Sequence, residues 1–350
     1  MRAPGFWRGP RPDWQAACLW PLSLPYAGIA SWRFARPPAA RASVPVVCVG
    51  NPTVGGSGKT PTAILIARLL QAFGRRPVFL SRGYGAKVSG PTVVDGAIHS
   101  ASDVGDESLL LARHAAAVVS PDRSAGAELA ASLGDVIVMD DGFQNPALAK
   151  DLSLLVVDGA YGVGNGWCLP AGPLRLPLSP QLARVDGLVI VGTGEAGEAV
   201  AAQAGERGIR VLRGRLVPDP TMRSALAGRP VVAFAGIGRP DKFFATLDEI
   251  GAEVVEERGF PDHHRFSEAD ARGILAIHRR SGAIPVTTEK DRARLGSPAG
   301  GALKALADAA VALPVSLAFD EASAVALHAM LERLLGRPAG AAGGLAQPLT

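Results

Sequence analysis

The sequence predicts an α/β protein: a parallel-sheet lobe with a phosphate-binding loop, a second, smaller α/β lobe, and an N-terminal segment that associates with a membrane. Three observations carry this expectation. Short apolar, β-branched runs alternate with helical patterns, as in a sheet buried on both faces. One of those runs leads through clustered glycines into Lys59-Thr60 and a helix. Ahead of them lies an uncharged stretch that holds most of the tryptophan.

Composition narrows the alternatives. The 350 residues include 42 glycines and 28 prolines, a high load but an aperiodic one mixed with apolar runs. A collagen-like or wholly disordered chain is therefore excluded. Cys18, Cys48 and Cys168 lie far apart with no CxxC pair, which argues against a disulfide scaffold or structural zinc and fits a reducing compartment. The net charge of +4 is concentrated at one end, since the first 45 residues carry six arginines against one acid, Asp13. No nucleic-acid-binding surface is expected.

Residues 1–43 form the N-terminal arm. Between Asp13 and Arg33 runs WQAACLWPLSLPYAGIASW, and four of the five tryptophans (Trp7, Trp14, Trp20 and Trp32) lie in the first 32 residues, with Tyr26 among them. Tryptophan favours the membrane–water boundary, where its ring is half apolar and its N–H can find a polar partner. The arginines would meet anionic headgroups of the cytoplasmic leaflet. Nineteen uncharged residues are near the lower limit for a span, and Pro21 and Pro25 are expected to break the helix. A segment lying in one leaflet is expected rather than a crossing; the competing reading is a helix packed on the protein's own core.

Residues 44–50 read as a buried strand, NPTVGGSGKT follows, and PTAILIARLLQAF reads as a helix. Strand, glycine loop and helix together make a P-loop NTPase-like lobe the expectation for residues 44–215. Thr53, Val54, Gly55, Gly56, Ser57 and Gly58 would wrap backbone N–H groups around phosphate oxygens. Lys59 would reach the β- and γ-phosphates, and the Thr60 hydroxyl would bind Mg²⁺. The pattern GxxxxGK[ST] asks for glycine at position 53, where this chain has Thr53.

A second apolar strand, DVIVMDD, ends in Asp140 and Asp141. Acids at the carboxyl end of a parallel strand beside a phosphate loop are placed to hold Mg²⁺. Neighbouring side chains on a strand point to opposite faces, so one of the two is expected to face the metal, and the pattern does not say which. Asp106 and Glu107 open a helical run and read as first-turn acids that complement the helix dipole. Arg82, in the loop SRGYG after strand PVFL, reads as a phosphate contact or a surface arginine. His263 and His264 lie in the turn GFPDHHRF, where histidine beside Asp262 serves proton transfer or simply a polar turn. Strands are also expected at 152–158 and 185–193. A strand–loop–helix–strand unit at 231–255 opens the second lobe, taken as residues 216–336 with linker strands; 337–350 reads as a disordered tail. Lys290 and Asp291 read as structural residues at the lobe interface.

Taken together, GNPTVGGSGKTPTA, SRGYG, GDESLLLA, MDDGFQ, GNGWCLPAGPLRLPL, GFPDHHRF and TTEKDRARL resemble the tetraacyldisaccharide 4′-kinase family, the lipid A 4′-kinases of Gram-negative bacteria. The resemblance covers most of the chain. It implies transfer of the ATP γ-phosphoryl group to the 4′-hydroxyl of a tetraacylated glucosamine disaccharide 1-phosphate. It also implies a peripheral enzyme on the cytoplasmic face of the inner membrane, with no obligate protein partner inferred, and two α/β/α lobes joined by a two-stranded linker. Asp106 matches the family's catalytic aspartate and His263 its partner, while Asp140 and Asp141 match the metal-site pair. Leu176 stands where the family usually has an acid associated with the metal site, and Ser108 where it commonly has proline. The alternative from another class is a non-catalytic nucleotide switch or an inactive kinase homologue; no NKxD motif or Cys/His cluster supports it.

Overall fold

The structure is a computed structural model that describes residues 4–83, 85–296 and 300–336. The tail expected at 337–350 and Tyr84 of the SRGYG loop lie outside the described residues.

The strands, in chain order, are β1 (Val46–Gly50), β2 (Pro77–Ser81), β3 (Thr92–Val93), β4 (Ala116–Val119), β5 (Val136–Asp140), β6 (Leu152–Asp158), β7 (Gly187–Val191), β8 (Arg210–Pro218), β9 (Pro230–Ala235), β10 (Glu253–Gly259), β11 (Ile284–Thr288), β12 (Val311–Leu313) and β13 (Val315–Phe319). Nine of them form one sheet in the order β13-β8-β7-β6-β1-β5-β2-β4-β3, and four form a second in the order β10-β9-β11-β12. The large sheet is parallel from β8 to β4. Its two edge strands, β3 and β13, run antiparallel. The small sheet is parallel throughout.

β1, β2, β5, β6 and β7 are buried along their whole length, which explains why they read as unbroken apolar runs rather than alternating ones. One apolar cluster covers each face: Val47, Val49, Phe79 and Val138 pack on one side, Val46, Cys48, Leu80 and Met139 on the other. The helix after β1, Lys59–Ala72, buries Thr62, Ala63, Ile66, Ala67 and Leu70, a helical stripe laid on the first face. The chain leaves the large sheet through β8 and returns through β13, whose Val315 to Phe319 pair with Pro218 to Gly214. The last helix, Glu321–Leu334, then sets Leu327 and Leu331 into the large-sheet core.

The N-terminal arm departs from expectation at one point. Trp14–Ala35 is a single 22-residue helix with Pro21 and Pro25 inside it. Each proline removes one backbone donor, and a spacing of four puts both losses on one face of the helix, so the hydrogen-bond ladder of the other face carries it through. Asp13 caps the start, accepting from the amide of Ala16. Ser23 donates to the Cys168 carbonyl at 2.9 Å and accepts from the Ala171 amide at 3.1 Å, and Phe34 packs against Phe143. The opposite side is bare: Trp14, Leu22, Leu24, Ile29 and Trp32 are each more than half exposed. No helix among the described residues is long and apolar enough to cross a membrane.

Candidate active site

The carboxyl ends of β1, β5, β2 and β6 lie side by side, and the sequence-selected residues collect there. After β1 the chain turns through Asn51 to Gly58 and enters its helix at Lys59. Asn51 donates to the Gly55 carbonyl at 3.2 Å and closes the loop on itself. Gly58 sits at φ +94° with Val191 directly beside the place a side chain would occupy, so only glycine suits both the backbone and the space. Thr53 needs no such freedom. It pairs with Leu174 in an extended bridge and is not among the positive-φ residues, which removes the reason for glycine at that position. Val54 donates its amide to Pro173, while Gly55 and Gly56 stay exposed and Ser57 is buried.

At the end of β5 the two acids diverge. Asp140 is buried and accepts a hydrogen bond from the Thr60 hydroxyl at 3.1 Å. Burial, reinforced by the charge of Glu107, pushes its carboxyl up to about 7. Asp141 adopts φ +57° and takes a two-pronged contact from Arg175, at 2.8 and 2.9 Å, with Lys59 at 3.9 Å. Burial opposes its charge too, but Lys59 and Arg175 outweigh it and hold the group at about 2. Arg175 also donates to the Thr53 carbonyl at 3.2 Å and so ties the acid turn to the phosphate loop. The next residue, Leu176, is buried in the apolar cluster on the second face of the sheet. Its side chain brings no oxygen to the site.

The residues around the loop fit a nucleotide and a divalent cation. Asn51 Oδ1, Ser57 Oγ and Asp140 Oδ1 are buried without a hydrogen-bond partner in the protein, and leaving such atoms unpaired costs about 1–3 kcal/mol each. Among the described residues no group of three or more His, Cys, Asp or Glu could hold a metal by itself. The Thr60 hydroxyl beside the half-partnered carboxylate of Asp140 suits Mg²⁺, which takes one or two carboxylates and completes its shell with phosphate oxygens and water.

The four-stranded sheet with its turns and helices, the second lobe, packs over this edge. Its turn after β9, Gly236 to Arg239, leans on the phosphate loop: a side chain at Gly238 would stand 3.2 Å from the Gly56 amide. Arg239 donates to the Gly56 carbonyl at 3.1 Å. Arg239 and Lys242 both pair with the buried carboxylate of Asp158 at the end of β6. On the other side, Lys290 bonds Glu107 at 2.5 Å, and Arg294 bonds Asp106 at 2.6 Å.

Asp106 opens the helix Asp106–Leu111, as a first-turn acid would, but its carboxylate is engaged by the second lobe. His263 Nδ1 stands 3.5 Å from Asp106 Oδ1. Burial works against the charge on Asp106, yet the hydrogen bond with His263 and the Arg294 guanidinium hold it far below the usual carboxylate range. The same hydrogen bond raises His263 against the opposing pull of burial. The two adjacent histidines separate clearly. His264 stacks on Phe260 and bonds Asp270 at 3.0 Å, committed to second-lobe packing, whereas His263, at φ +57°, faces the first lobe. Arg82 is exposed on the rim of a cavity of about 260 Å³ whose lining, with Gly83, Ala86 and Pro121, includes no phosphate-loop residue.

Residue reading alone passed over Arg175, Asp158, Arg239, Lys242 and Arg294. The signal available for Arg294 was its place in TTEKDRARL, three residues after an acid, a spacing that puts both on one side of a helix.

A profile of the tetraacyldisaccharide-1-P 4'-kinase family matches residues 15–335. The tetraacyldisaccharide 4'-kinase of Methylobacterium nodulans is 52% identical over 335 residues, covering 95% of this chain and 96% of its own length. That of Methylorubrum populi is 54% identical over 322 residues, covering 92% and 95%. A crystal structure titled as the "apo" form of LpxK from Aquifex aeolicus in complex with ATP superposes with a TM-score of 0.70 at 29% identity, covering 91% of this chain and 99% of that one. By fold, by the order of its motifs and by these relatives, the chain belongs to the tetraacyldisaccharide-1-P 4'-kinase family.

Proposed function

We propose that the protein transfers the γ-phosphoryl group of ATP to the 4′-hydroxyl of a tetraacylated glucosamine disaccharide 1-phosphate, forming the lipid A precursor that carries both phosphates. The observation that carries this reading is the meeting of two sets of groups at one sheet edge. The phosphate loop, Lys59, Thr60 and Asp140 supply one; the facing Asp106–His263 pair supplies the other.

In this reading the amides of Gly55 and Gly56, with Ser57 and Gly58, cradle the phosphates, and Lys59 neutralises charge that builds on the transferred group. Thr60 and Asp140 hold Mg²⁺, which when bound draws charge from the phosphate oxygens. Asp141 keeps Arg175 and Lys59 in place. The 4′-hydroxyl oxygen attacks the γ-phosphorus; its O–H proton passes to the Asp106–His263 pair, the new O–P bond forms, and the bond to the β-phosphate oxygen breaks to release ADP. Asp106 Oδ2 is filled by Arg294; Oδ1 and the imidazole beside it orient and accept that proton.

The bare face of the helix Trp14–Ala35, with Trp14, Leu22, Ile29 and Trp32 outward, rests on the cytoplasmic leaflet of the inner membrane and brings the site to its lipid. Incubation of detergent-purified protein with labelled ATP, Mg²⁺ and tetraacyldisaccharide 1-phosphate tests the reading. A labelled bisphosphorylated lipid that Asp106→Ala abolishes is the expected result; ATP binding without lipid labelling would overturn it.

A further inference from the structure

Arg294 lies on the helix Glu289–Leu295 of the second lobe, and its side chain is only 6% exposed. Its guanidinium serves four groups. Nε donates to Asp106 Oδ2 at 2.6 Å, and Nη2 approaches the same oxygen at 2.5 Å. Nη1 donates to the Gly236 carbonyl and to Asp291 Oδ1, each at 2.5 Å. Nη2 also stands 3.5 Å from His263 Nδ1. The Gly236 carbonyl is itself the acceptor of the His263 amide, at 3.0 Å, so one oxygen anchors both the arginine and the histidine's left-handed backbone.

Behind the arginine stands a brace centred on the fully buried Asp291. Asp291 accepts from the Gly236 amide at 3.0 Å and from the Thr288 hydroxyl at 2.7 Å, and Thr288 caps the helix in return. The fork is therefore held from behind before it reaches across to Asp106. A planar guanidinium suits this task because its donors point in fixed directions, which a lysine cannot reproduce.

We infer that Arg294 is a positioning residue for the Asp106–His263 pair, holding the carboxylate and the imidazole in register across the two lobes and keeping the imidazole ready to take a proton. This rests on the reading of the pair given above. Among the described residues, the charges facing the pair include Asp262 on the histidine's own turn, Glu107 beside Asp106, and Lys290, Asp291 and Arg294 on the opposing helix. Asp106 and Asp262 favour protonation of His263, while Arg294 opposes it. Loss of the arginine's charge would leave more of the histidine protonated near neutral pH, where it can no longer accept.

The test compares full-length Arg294→Gln and Arg294→Lys with the unaltered protein. It reads kcat and KM for ATP across pH, and the His263 titration by NMR of histidine-labelled protein, assigned by the signal lost in His263→Gln. For Arg294→Gln, kcat falls at least tenfold, KM for ATP stays within about twofold, and the acid limb of kcat and the His263 titration move to higher pH by about half a unit or more. Arg294→Lys restores the titration, because charge returns, but not kcat, because the fork does not. A His263 titration unmoved in a folded Arg294→Gln protein overturns the inference. A titration that moves while rate and pH profile stay put supports Arg294 as the group that sets this pair and sinks the pair's assignment to catalysis instead. If Arg294→Gln does not fold, Arg294→Lys decides: undiminished kcat overturns the inference, and a tenfold loss at unchanged KM supports it.

Discussion

The Thr60 hydroxyl donates to Asp140 Oδ2 at 3.1 Å across 80 residues of chain, and this one contact distinguishes the two adjacent acids at the end of β5. Both are anionic side chains on the same turn. Asp140 faces the phosphate loop with its second oxygen unpartnered and buried, whereas both Asp141 oxygens are bound by Arg175. The reversal of backbone at Asp141, φ +57°, sends its carboxylate toward Arg175 and Lys59.

The two acids therefore answer differently to substitution. Asp140→Asn raises the Mg²⁺ concentration for half-maximal activity by about tenfold or more and lowers kcat by about 10²–10³, the scale of losing one charge-stabilising contact. Asp141→Asn releases Arg175 and the loop, so KM for ATP rises while the Mg²⁺ requirement changes less. Mg²⁺ titrations of initial rate at saturating lipid check both outcomes.

Asp106→Asn and His263→Ala each lower kcat by roughly 10²–10⁴, the range for a lost general base, and leave ATP affinity within a few-fold. Steady-state kinetics beside direct nucleotide binding separate the two quantities. Equal losses in both would remove these residues from the chemical step.

The interlobe contacts at Asp158 carry a pH signature. Burial raises this carboxyl, but Arg239 and Lys242 outweigh burial and leave it below its ordinary 3.8. A depressed carboxylate stabilises the fold above its unfolded pKa and loses that contribution as pH falls through the folded one. Thermal unfolding between pH 6 and pH 2.5 should show a fall in stability below about pH 4 that is smaller in Asp158→Asn. At neutral pH the variant loses about 1–2 kcal/mol, reduced because Lys242 is nearly half exposed and screened by water.

Ile29→Ser with Trp14→Ser, both on the outward face of the first helix, weakens co-sedimentation with anionic lipid vesicles by tenfold or more, at roughly 1.5–3 kcal/mol for each large apolar side chain withdrawn from lipid. ATP binding stays unchanged, since neither side chain touches the phosphate loop. Undiminished sedimentation would place membrane contact elsewhere.

Much of this molecule was legible in its one-dimensional pattern. Runs such as VVCVG and DVIVMDD announce buried parallel strands because both faces of the sheet are covered, and Gly58-Lys59-Thr60 announces a loop because the backbone there must turn left-handed. The helix at Trp14–Ala35 was less legible: prolines count as breakers one at a time, and only their shared face lets the helix continue. Leu176, where the family pattern usually has an acid, is a core residue whose side chain carries no oxygen.

What sequence by itself determined is the list of parts and their local shapes: strand, phosphate loop, helix, and acids at a strand end. Those follow from backbone sterics and from periodic burial, which act over a few residues. The tertiary structure alone decided how the charges are matched. Asp140 meets Thr60, Asp141 meets Arg175, Asp158 meets Arg239 and Lys242, and Asp106 meets Arg294, over chain separations from 34 residues to 188. Charge interactions depend on distance in space and on exclusion of water, and neither quantity is written along a chain.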